Sequence, residues 1–179
     1  MRIISGSLKG RIIQAPSHFT LRPTTDIAKE GLFNMLANIY DFEDIKVLDL
    51  FAGIGSFSFE CASRGCQHIT SVEKNRAHAA FIKQQSEKLQ TPQIHVVTSD
   101  VRDYIKSCKQ HFDVIFADPP YDLPWLDTIP TLLYNSSCVH SESLIIIEHS
   151  KNISFCEHPH FVQMRKYGKV HFSWFSSNI

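Results

Sequence analysis

The sequence predicts an α/β fold built on a doubly wound, mostly parallel sheet. From residue 45 onward, five short apolar runs alternate with four helical segments, which is the pattern of repeated strand–helix–strand units. The runs IKVLDLF and SLIIIEH show little polar alternation, as is typical of parallel strands buried on both faces. The last two segments, FVQMRKYG and KVHFSWF, meet at Gly168 and predict an antiparallel hairpin at the carboxyl-terminal end.

The individual elements are placed by local pattern. We predict strands at 45–51, 68–73, 94–100, 112–118, 143–149, 161–168 and 169–175, and helices at 56–64, 75–89, 101–108 and 125–134. Gly65 and Pro92 end the first two of these helices, and Pro130 is expected to bend the last.

The first forty residues have a different pattern. Two short extended pieces, RIIS and GRIIQAP, predict a two-stranded ribbon that must pack on something larger to be stable. Thr25 or Asp26 can cap a helix that runs to about Tyr40. We therefore divide the chain into an appendage, residues 1–40, packed on a main domain, residues 41–179.

Composition excludes several classes of protein. No apolar stretch is long enough for a membrane span and no signal peptide is visible, so we expect a cytoplasmic protein without a membrane partner. The five cysteines include no CxxC pair and the ten histidines are scattered, so neither a disulfide framework nor a metal site is expected. We also expect a monomer.

The net charge of zero conceals an uneven distribution. Residues 1–40 and 151–179 each carry a net charge of +3, whereas residues 41–150 carry −6. Basic ends around an acidic centre could contact phosphates while the centre binds a cationic cofactor. A chance distribution of surface charge explains the same numbers equally well.

The first strand ends in a glycine turn that follows an acid. Gly53 and Gly55 permit a tight turn and a close approach to a ligand, but the third glycine of a dinucleotide-binding turn is replaced by Ser58. Asp49 would repel a pyrophosphate and attract the ammonium and sulfonium groups of S-adenosyl-L-methionine. The turn therefore favours S-adenosyl-L-methionine over NAD.

The next two strands also end in acids. Glu73 can accept hydrogen bonds from both hydroxyls of a ribose, although many strands end in an acid for solubility alone. Asp100 can accept a hydrogen bond from an adenine amino group, and it can equally cap the helix that follows.

The fourth strand ends in the most specific motif, Asp118-Pro119-Pro120-Tyr121. The amino nitrogen of a nucleic-acid base is a poor nucleophile because its lone pair is delocalised into the ring. The Asp118 carboxylate and the Pro119 carbonyl can accept hydrogen bonds from its two N–H groups and so direct the lone pair at a methyl donor. The two prolines stiffen the loop that carries both acceptors. Tyr121 can stack on the base, which must be unpaired or flipped out of a duplex. A proline turn that only caps a strand does not explain the flanking acid and aromatic residue.

These motifs resemble the RsmD-type 16S rRNA guanine-N2 methyltransferases over nearly the whole chain. The resemblance rests on RIISGSLKGR, LRPTTDIAKEGLFNML, VLDLFAGIGSFSFECASRG, SVEKN, VIFADPPY and KYG. It implies a Rossmann-like class I methyltransferase fold with seven strands, S-adenosyl-L-methionine as the donor and a guanine of small-subunit ribosomal RNA as the acceptor.

The resemblance also implies roles for individual residues. The positions that match the cofactor loop, the ribose acid and the adenine contact are Asp49, Phe51, Gly53, Gly55, Glu73 and Asp100. The catalytic positions are Asp118, Pro119, Pro120 and Tyr121, and the positions suited to RNA are Arg11, Arg22 and Thr24. Lys29 and Gly31 depart from the expected arginine and alanine. Leu123 and Trp125 could line the base pocket, although a tryptophan on such a helix is more often part of the core.

Three alternatives remain at this stage. The same loop suits adenine N6 in RNA or DNA, and a related loop modifies glutamine side chains, although 179 residues leave no room for a DNA target-recognition domain. A cofactor-binding RNA chaperone or assembly factor without turnover is disfavoured by the intact Asp118. An NAD-dependent oxidoreductase is disfavoured by the missing third glycine.

Overall fold

The computed structural model describes residues 1–19 and 25–177, and the predicted seven strands form one sheet within them. The strands are β1 Lys46–Leu50, β2 His68–Glu73, β3 Ile94–Thr98, β4 Val114–Ala117, β5 Leu144–His149, β6 Phe161–Tyr167 and β7 Val170–Ser176. Their order across the sheet is β3-β2-β1-β4-β5-β7-β6. β1 to β5 are parallel and β7 runs antiparallel between β5 and β6, so the predicted fold class is confirmed.

Within the described residues, five α-helices accompany the sheet. They are α1 Asp26–Ala37, α2 Ser56–Ser63, α3 Arg76–Leu89, α4 Val101–Ser107 and α5 Ile129–Tyr134, with short 3₁₀ turns at Phe42–Asp44 and Leu126–Thr128. The helix predicted at 125–134 is divided, because Pro130 lies in the first turn of α5 and begins that helix instead of bending a longer one. A proline is tolerated there because its missing N–H would have no helical partner.

Helices cover both faces of the sheet. On one face, apolar side chains of α1, α2 and α3 form a cluster with alternate strand residues such as Val47 and Phe116. On the other face, α4 and α5 pack with the intervening residues, including Leu48 and Ile115. The alternation of side chains along each strand produces these two cores. No described helix is long and apolar enough to span a membrane.

The first thirteen residues fold back on themselves and attach to α2. Arg2 and Ile12 form a single antiparallel bridge, so the predicted ribbon is reduced to one bridge and its flanking hydrogen bonds. The buried carboxylate of Glu60 accepts hydrogen bonds from the backbone N–H groups of Ile4 at 2.8 Å and Ser5 at 3.0 Å. This segment is therefore held by a side chain of the main core. The division of the chain at residue 40 stays a prediction.

Glu60 also joins two cations. The Arg64 side chain donates a hydrogen bond to it at 3.0 Å, and the Lys29 ammonium lies 3.7 Å from its other oxygen. The Lys29 side chain is 5% exposed and also donates a hydrogen bond to the Arg2 carbonyl. Burial lowers the pKa of Lys29, and Glu60 opposes this effect. Lys29 thus turns inward and completes the attachment.

Packing also accounts for the unexpected glycine in α1. A Cβ atom on Gly31 would lie 2.3 Å from the ring of Tyr167, so the ring of β6 occupies the space of a side chain. Glycine lowers the helix propensity at this position by roughly 1 kcal/mol relative to alanine. It is nevertheless required, because a larger residue would prevent the close contact between α1 and the edge of the sheet.

Two glycines of the first segment provide a matched test of its attachment. Gly6 and Gly10 have similar positive φ values, 80° and 83°, but a Cβ on Gly6 would lie 1.7 Å from the Ser63 carbonyl oxygen, whereas a Cβ on Gly10 meets nothing within 4 Å. We expect Gly6→Ala to lower the free energy of unfolding by roughly 3 kcal/mol and Gly10→Ala by roughly 1 kcal/mol, because only the first adds a backbone clash to the strained φ. Urea unfolding measures both. Equal losses would contradict the close approach of Gly6 to the Ser63 carbonyl.

Candidate active site

A cleft of about 730 Å³ opens at the carboxyl edge of the parallel strands. It is where a doubly wound sheet is expected to bind a ligand. The residues that line it come from the ends of β1 to β4 and the segments that follow them: Phe51, Gly53, Glu73, Lys74, Asn75, His78, Asp100, Val101, Arg102, Asp118, Pro119, Pro120, Tyr121, Leu123 and Trp125. The cleft therefore brings together eight of the thirteen residues predicted for the site.

The turn after β1 has an unusual backbone. Phe51, Gly53 and Gly55 have positive φ angles of 60°, 58° and 80°. A Cβ on Gly55 would press on Phe59 and Ile82 at 3.0–3.3 Å, so this glycine is needed both for its φ and for close packing of α2 and α3. Phe51 adopts the left-handed conformation without being glycine, which is a strained backbone at the edge of the cleft.

Glu73 links two loops at the edge of the cleft. Its oxygens accept hydrogen bonds of 2.7 Å from the backbone N–H groups of Gly53 and Asn75. Each carboxylate oxygen has a second lone pair, so the side chain can accept further hydrogen bonds from a ligand. Glu73 thus fixes the glycine turn and remains able to bind hydroxyl groups.

Asp100 is engaged by charged neighbours. It accepts a hydrogen bond from Lys74 at 3.0 Å, caps α4 through the Arg102 backbone N–H at 3.0 Å, and lies 3.5 Å from the Arg102 side chain. The hydrogen bond from Lys74 is the main cause of a lowered pKa at Asp100. Both roles considered for this acid are therefore available to it, since it caps a helix and lines the cleft.

Asp49 does not line the large cleft. Its side chain points toward α2 and accepts hydrogen bonds from the Ser58 hydroxyl at 2.6 Å and the Ser58 N–H at 3.2 Å. It lines a smaller hollow of about 40 Å³ that shares Phe51 and Asp118 with the cleft and also contacts Lys29. Burial of the carboxyl raises its pKa to about 7, although the hydrogen bonds from Ser58 oppose this.

The raised pKa of Asp49 predicts a pH dependence of stability. The folded state binds a proton that the unfolded state has already released, so stability falls as pH rises from about 4 to about 7 and then levels off. We expect Asp49→Asn to remove this fall and to gain about 2 kcal/mol relative to the wild type between about pH 5 and about pH 8. Urea unfolding at about pH 5 and about pH 8 measures this difference in the free energy of unfolding. Asp44→Asn, at an exposed position, is the control and should show no such pH-dependent gain. A difference independent of pH would contradict the assignment.

The loop after β4 is held at both ends. The Asp118 N–H donates a hydrogen bond to the Leu50 carbonyl at 3.3 Å, and the Leu123 N–H donates one to the Pro120 carbonyl at 3.0 Å. The Tyr121 hydroxyl donates a hydrogen bond to Glu148 of β5 at 3.1 Å. The acid, the prolines and the ring are therefore presented to the cleft by a fixed turn.

Trp125 forms the adjoining wall of the cleft. The Arg102 guanidinium lies 4.9 Å from its ring centroid, in cation–π geometry, and the Phe51 ring lies 6.0 Å away. The prediction that Leu123 and Trp125 line a pocket agrees with their positions.

Some residues were placed elsewhere or missed. Arg11 is exposed on the first segment and does not line the cleft, and Arg22 and Thr24 lie outside the described residues. Lys74, Asn75, His78 and Arg102 line the cleft but were not predicted. They lie just after β2 and β3, so the rule that ligands bind beyond strand ends could have indicated them. The described residues contain no group of three or more His, Cys, Asp or Glu that could hold a metal ion.

A parallel sheet of this order, with a glycine turn after β1 and an Asp-Pro-Pro-Tyr turn after β4 on one cleft, defines a class I methyltransferase. The family model described as Conserved hypothetical protein 95 matches residues 1–176. The chain belongs to this family, the RsmD-type methyltransferases.

Individual relatives agree with this assignment. Ribosomal RNA small subunit methyltransferase D of Haemophilus influenzae is 33% identical over 85% of this chain and 80% of its own length. The protein of the same name in Escherichia coli is 32% identical over 83% and 74%, respectively. Among solved structures, Escherichia coli yhhF superposes with a TM-score of 0.83 at 29% identity, covering 98% of this chain and 96% of its own. Thermus thermophilus TTHA0928 has a TM-score of 0.85 at 26% identity, covering 98% and 99%.

Proposed function

We propose that this methyltransferase transfers the methyl group of S-adenosyl-L-methionine to the exocyclic N2 of a guanine in 16S ribosomal RNA. The observation that carries the proposal is that a single cleft is lined both by Gly53 and Glu73, suited to a nucleoside donor, and by the Asp118–Tyr121 loop, suited to a base amine. Donor and acceptor can therefore meet without movement of the sheet.

The residues of the cleft fit the proposed donor. Glu73 can accept hydrogen bonds from ribose hydroxyls, and Asp100 can accept one from an adenine amino group, while Phe51 and Val101 offer apolar surface. Asp49, in the adjoining hollow, supplies the negative charge that an ammonium group requires when its carboxyl is ionised. The bound donor supplies an electrophilic methyl group on a sulfonium.

The loop after β4 acts on the acceptor. The Asp118 carboxylate and the Pro119 carbonyl accept hydrogen bonds from the two N–H groups of the guanine amine, so that its lone pair is directed toward the methyl group. Tyr121 stacks on the base and Trp125 lines the same cleft, an arrangement that suits an unpaired or flipped-out base. A strong general base is unnecessary, because the nitrogen becomes acidic once it is methylated and its proton can then pass to the Asp118 carboxylate or to solvent.

Ribosomal RNA is proposed as the substrate because relatives at 32–33% identity are named for methylation of the small-subunit RNA. Residues 1–40 are proposed as an RNA-contact appendage, in which the exposed Arg11 can contact phosphate. Guanine N2 is proposed from the sequence resemblance, and adenine N6 is the alternative, since it is the same kind of amine.

The test compares methyl acceptors directly. The purified protein with labelled donor is incubated with unmethylated small-subunit rRNA, with assembled subunits and with DNA, and the labelled nucleoside is identified by mass spectrometry. Label in N2-methylguanosine of the rRNA, free or assembled, is the expected result. Label in N6-methyladenosine would show that the acceptor is adenine N6 and not guanine N2. Donor binding without any transfer would favour a non-catalytic assembly factor.

A further inference from the structure

A second concave surface lies at the opposite edge of the sheet. It has a volume of about 940 Å³, larger than the cleft, and is formed by the amino-terminal ends of β1 to β3 and the carboxyl-terminal end of α4. With strands of five or six residues, the two edges are separated by roughly 17–20 Å. This surface, which we call the basal groove, takes no part in the chemistry described above.

The short length of α4 creates the basal groove. His68, Thr70, His95 and Val97 alternate along β2 and β3 and face the same side of the sheet as α4. α4 has seven residues and ends at Ser107, so it leaves the part of this face at the amino-terminal ends of the strands uncovered. Helix α3 covers the other face of the same strands.

The basal groove is lined by two lysines and, among the described residues, by no acidic side chain. Lys46, Lys109, His68, His95 and His111 line it, and among the fourteen lining residues none is Asp or Glu. The chain as a whole has equal numbers of lysines plus arginines and of acidic residues, so the absence of acids from the groove lining differs from the average composition of the chain.

The lysine side chains of the basal groove form no ion pairs with the described carboxylates. Within residues 1–19 and 25–177, no ion pair involves Lys46 or Lys109. Asp113, which follows the lining residue Phe112, accepts a hydrogen bond from the Lys46 backbone N–H at 2.7 Å and is hydrogen-bonded to the His140 ring at 3.1 Å.

We propose that the basal groove binds the phosphodiester backbone of the RNA substrate, away from the methylated base. Two lysines can neutralise phosphates, and the imidazole, amide and hydroxyl groups around them can donate hydrogen bonds to phosphate and ribose oxygens. Tyr104 and Phe112 add flat apolar surface to the same groove. The choice of RNA as the occupant rests on the proposed function, whereas the anionic character of the occupant rests on the groove alone.

The test is a double variant with a matched control. Lys46→Gln/Lys109→Gln is compared with Lys83→Gln/Lys88→Gln, which removes the same charge from exposed lysines of α3 on the other face of the sheet. Binding of deproteinised small-subunit rRNA is measured across a series of salt concentrations, and poly-glutamate serves as an acidic peptide probe. All four side chains are exposed, so thermal unfolding is expected to be unchanged.

The groove variant should bind the rRNA about tenfold more weakly at moderate salt. It should also lower the slope of log affinity against log salt by about 1.5, as expected for the loss of two phosphate contacts. The control should keep the wild-type slope. Equal losses in both variants, no loss in either, or a loss confined to poly-glutamate would overturn the proposal. Methyl transfer is scored separately: rRNA that binds through the groove without being methylated would refute the proposed function and leave this inference standing.

Discussion

Asp118→Ala should lower the rate of methyl transfer by at least about 10²-fold, with little change in donor affinity. The carboxylate is one of two acceptors aimed at the reacting amine, and removal of one such group from a fixed site costs roughly 3 kcal/mol or more of transition-state stabilisation. The loop keeps its backbone hydrogen bonds from Asp118 N–H and Leu123 N–H, so the fold should tolerate the change. Single-turnover transfer to rRNA and calorimetric donor binding measure the two effects.

Two further variants separate charge from shape. Asp118→Asn keeps the size of the side chain, but its amide has one acceptor oxygen and no charge, so most of the rate loss should remain. Asp122→Ala removes an exposed acid four residues along the same loop and should retain nearly full activity. Wild-type turnover in Asp118→Ala, or an equal loss in Asp122→Ala, would remove Asp118 from the proposed mechanism.

Glu60→Gln should lower the free energy of unfolding by about 3–5 kcal/mol. The fully buried carboxylate faces Lys29 and Arg64 and accepts hydrogen bonds from the N–H groups of Ile4 and Ser5. Removing one partner leaves buried positive charge without compensation, which costs far more than the net stabilisation of the pair. For a chain of this length the melting temperature should fall by roughly 10 °C.

The first segment should respond locally as well. We expect hydrogen exchange in the Ile4–Ser5 segment to accelerate in Glu60→Gln, because the glutamine amide keeps one acceptor oxygen and one of the two N–H groups loses its partner. Glu87→Gln, at an exposed position of α3, serves as the control and should change neither measurement. A melting temperature within a degree or so of the wild type would show that the buried cluster is not what holds residues 1–13 to α2.

Most of the fold could be predicted because the central strands β1, β4 and β5 are nearly continuous apolar runs, each followed by a recognisable helix or turn. Among the helices of the main domain, the segment 125–134 differs from its prediction: its apolar residues have a helical spacing throughout, but its first half is a 3₁₀ turn and its α-helix starts only at Ile129. Apolar periodicity does not distinguish these two structures over a few residues.

The site was less fully predictable. Glu73, Asp100 and Asp118 lie at the carboxyl ends of their strands, so one rule places all three on the cleft. Asp49 lies two residues before the turn, and strand alternation directs it toward α2 and Ser58. The partners Lys29 and Glu60 are far apart in sequence, and no local pattern indicates that their charges meet.

The strained backbone at Phe51 has a consequence for enzyme engineering. Its side chain and that of Asp118 are the two that border both the large cleft and the 40 Å³ hollow. A glycine at position 51 would adopt the left-handed conformation without penalty and would remove a side chain from the lining of both spaces. This position is therefore one at which the donor site could be enlarged to accommodate bulkier synthetic donors while the backbone strain is relieved.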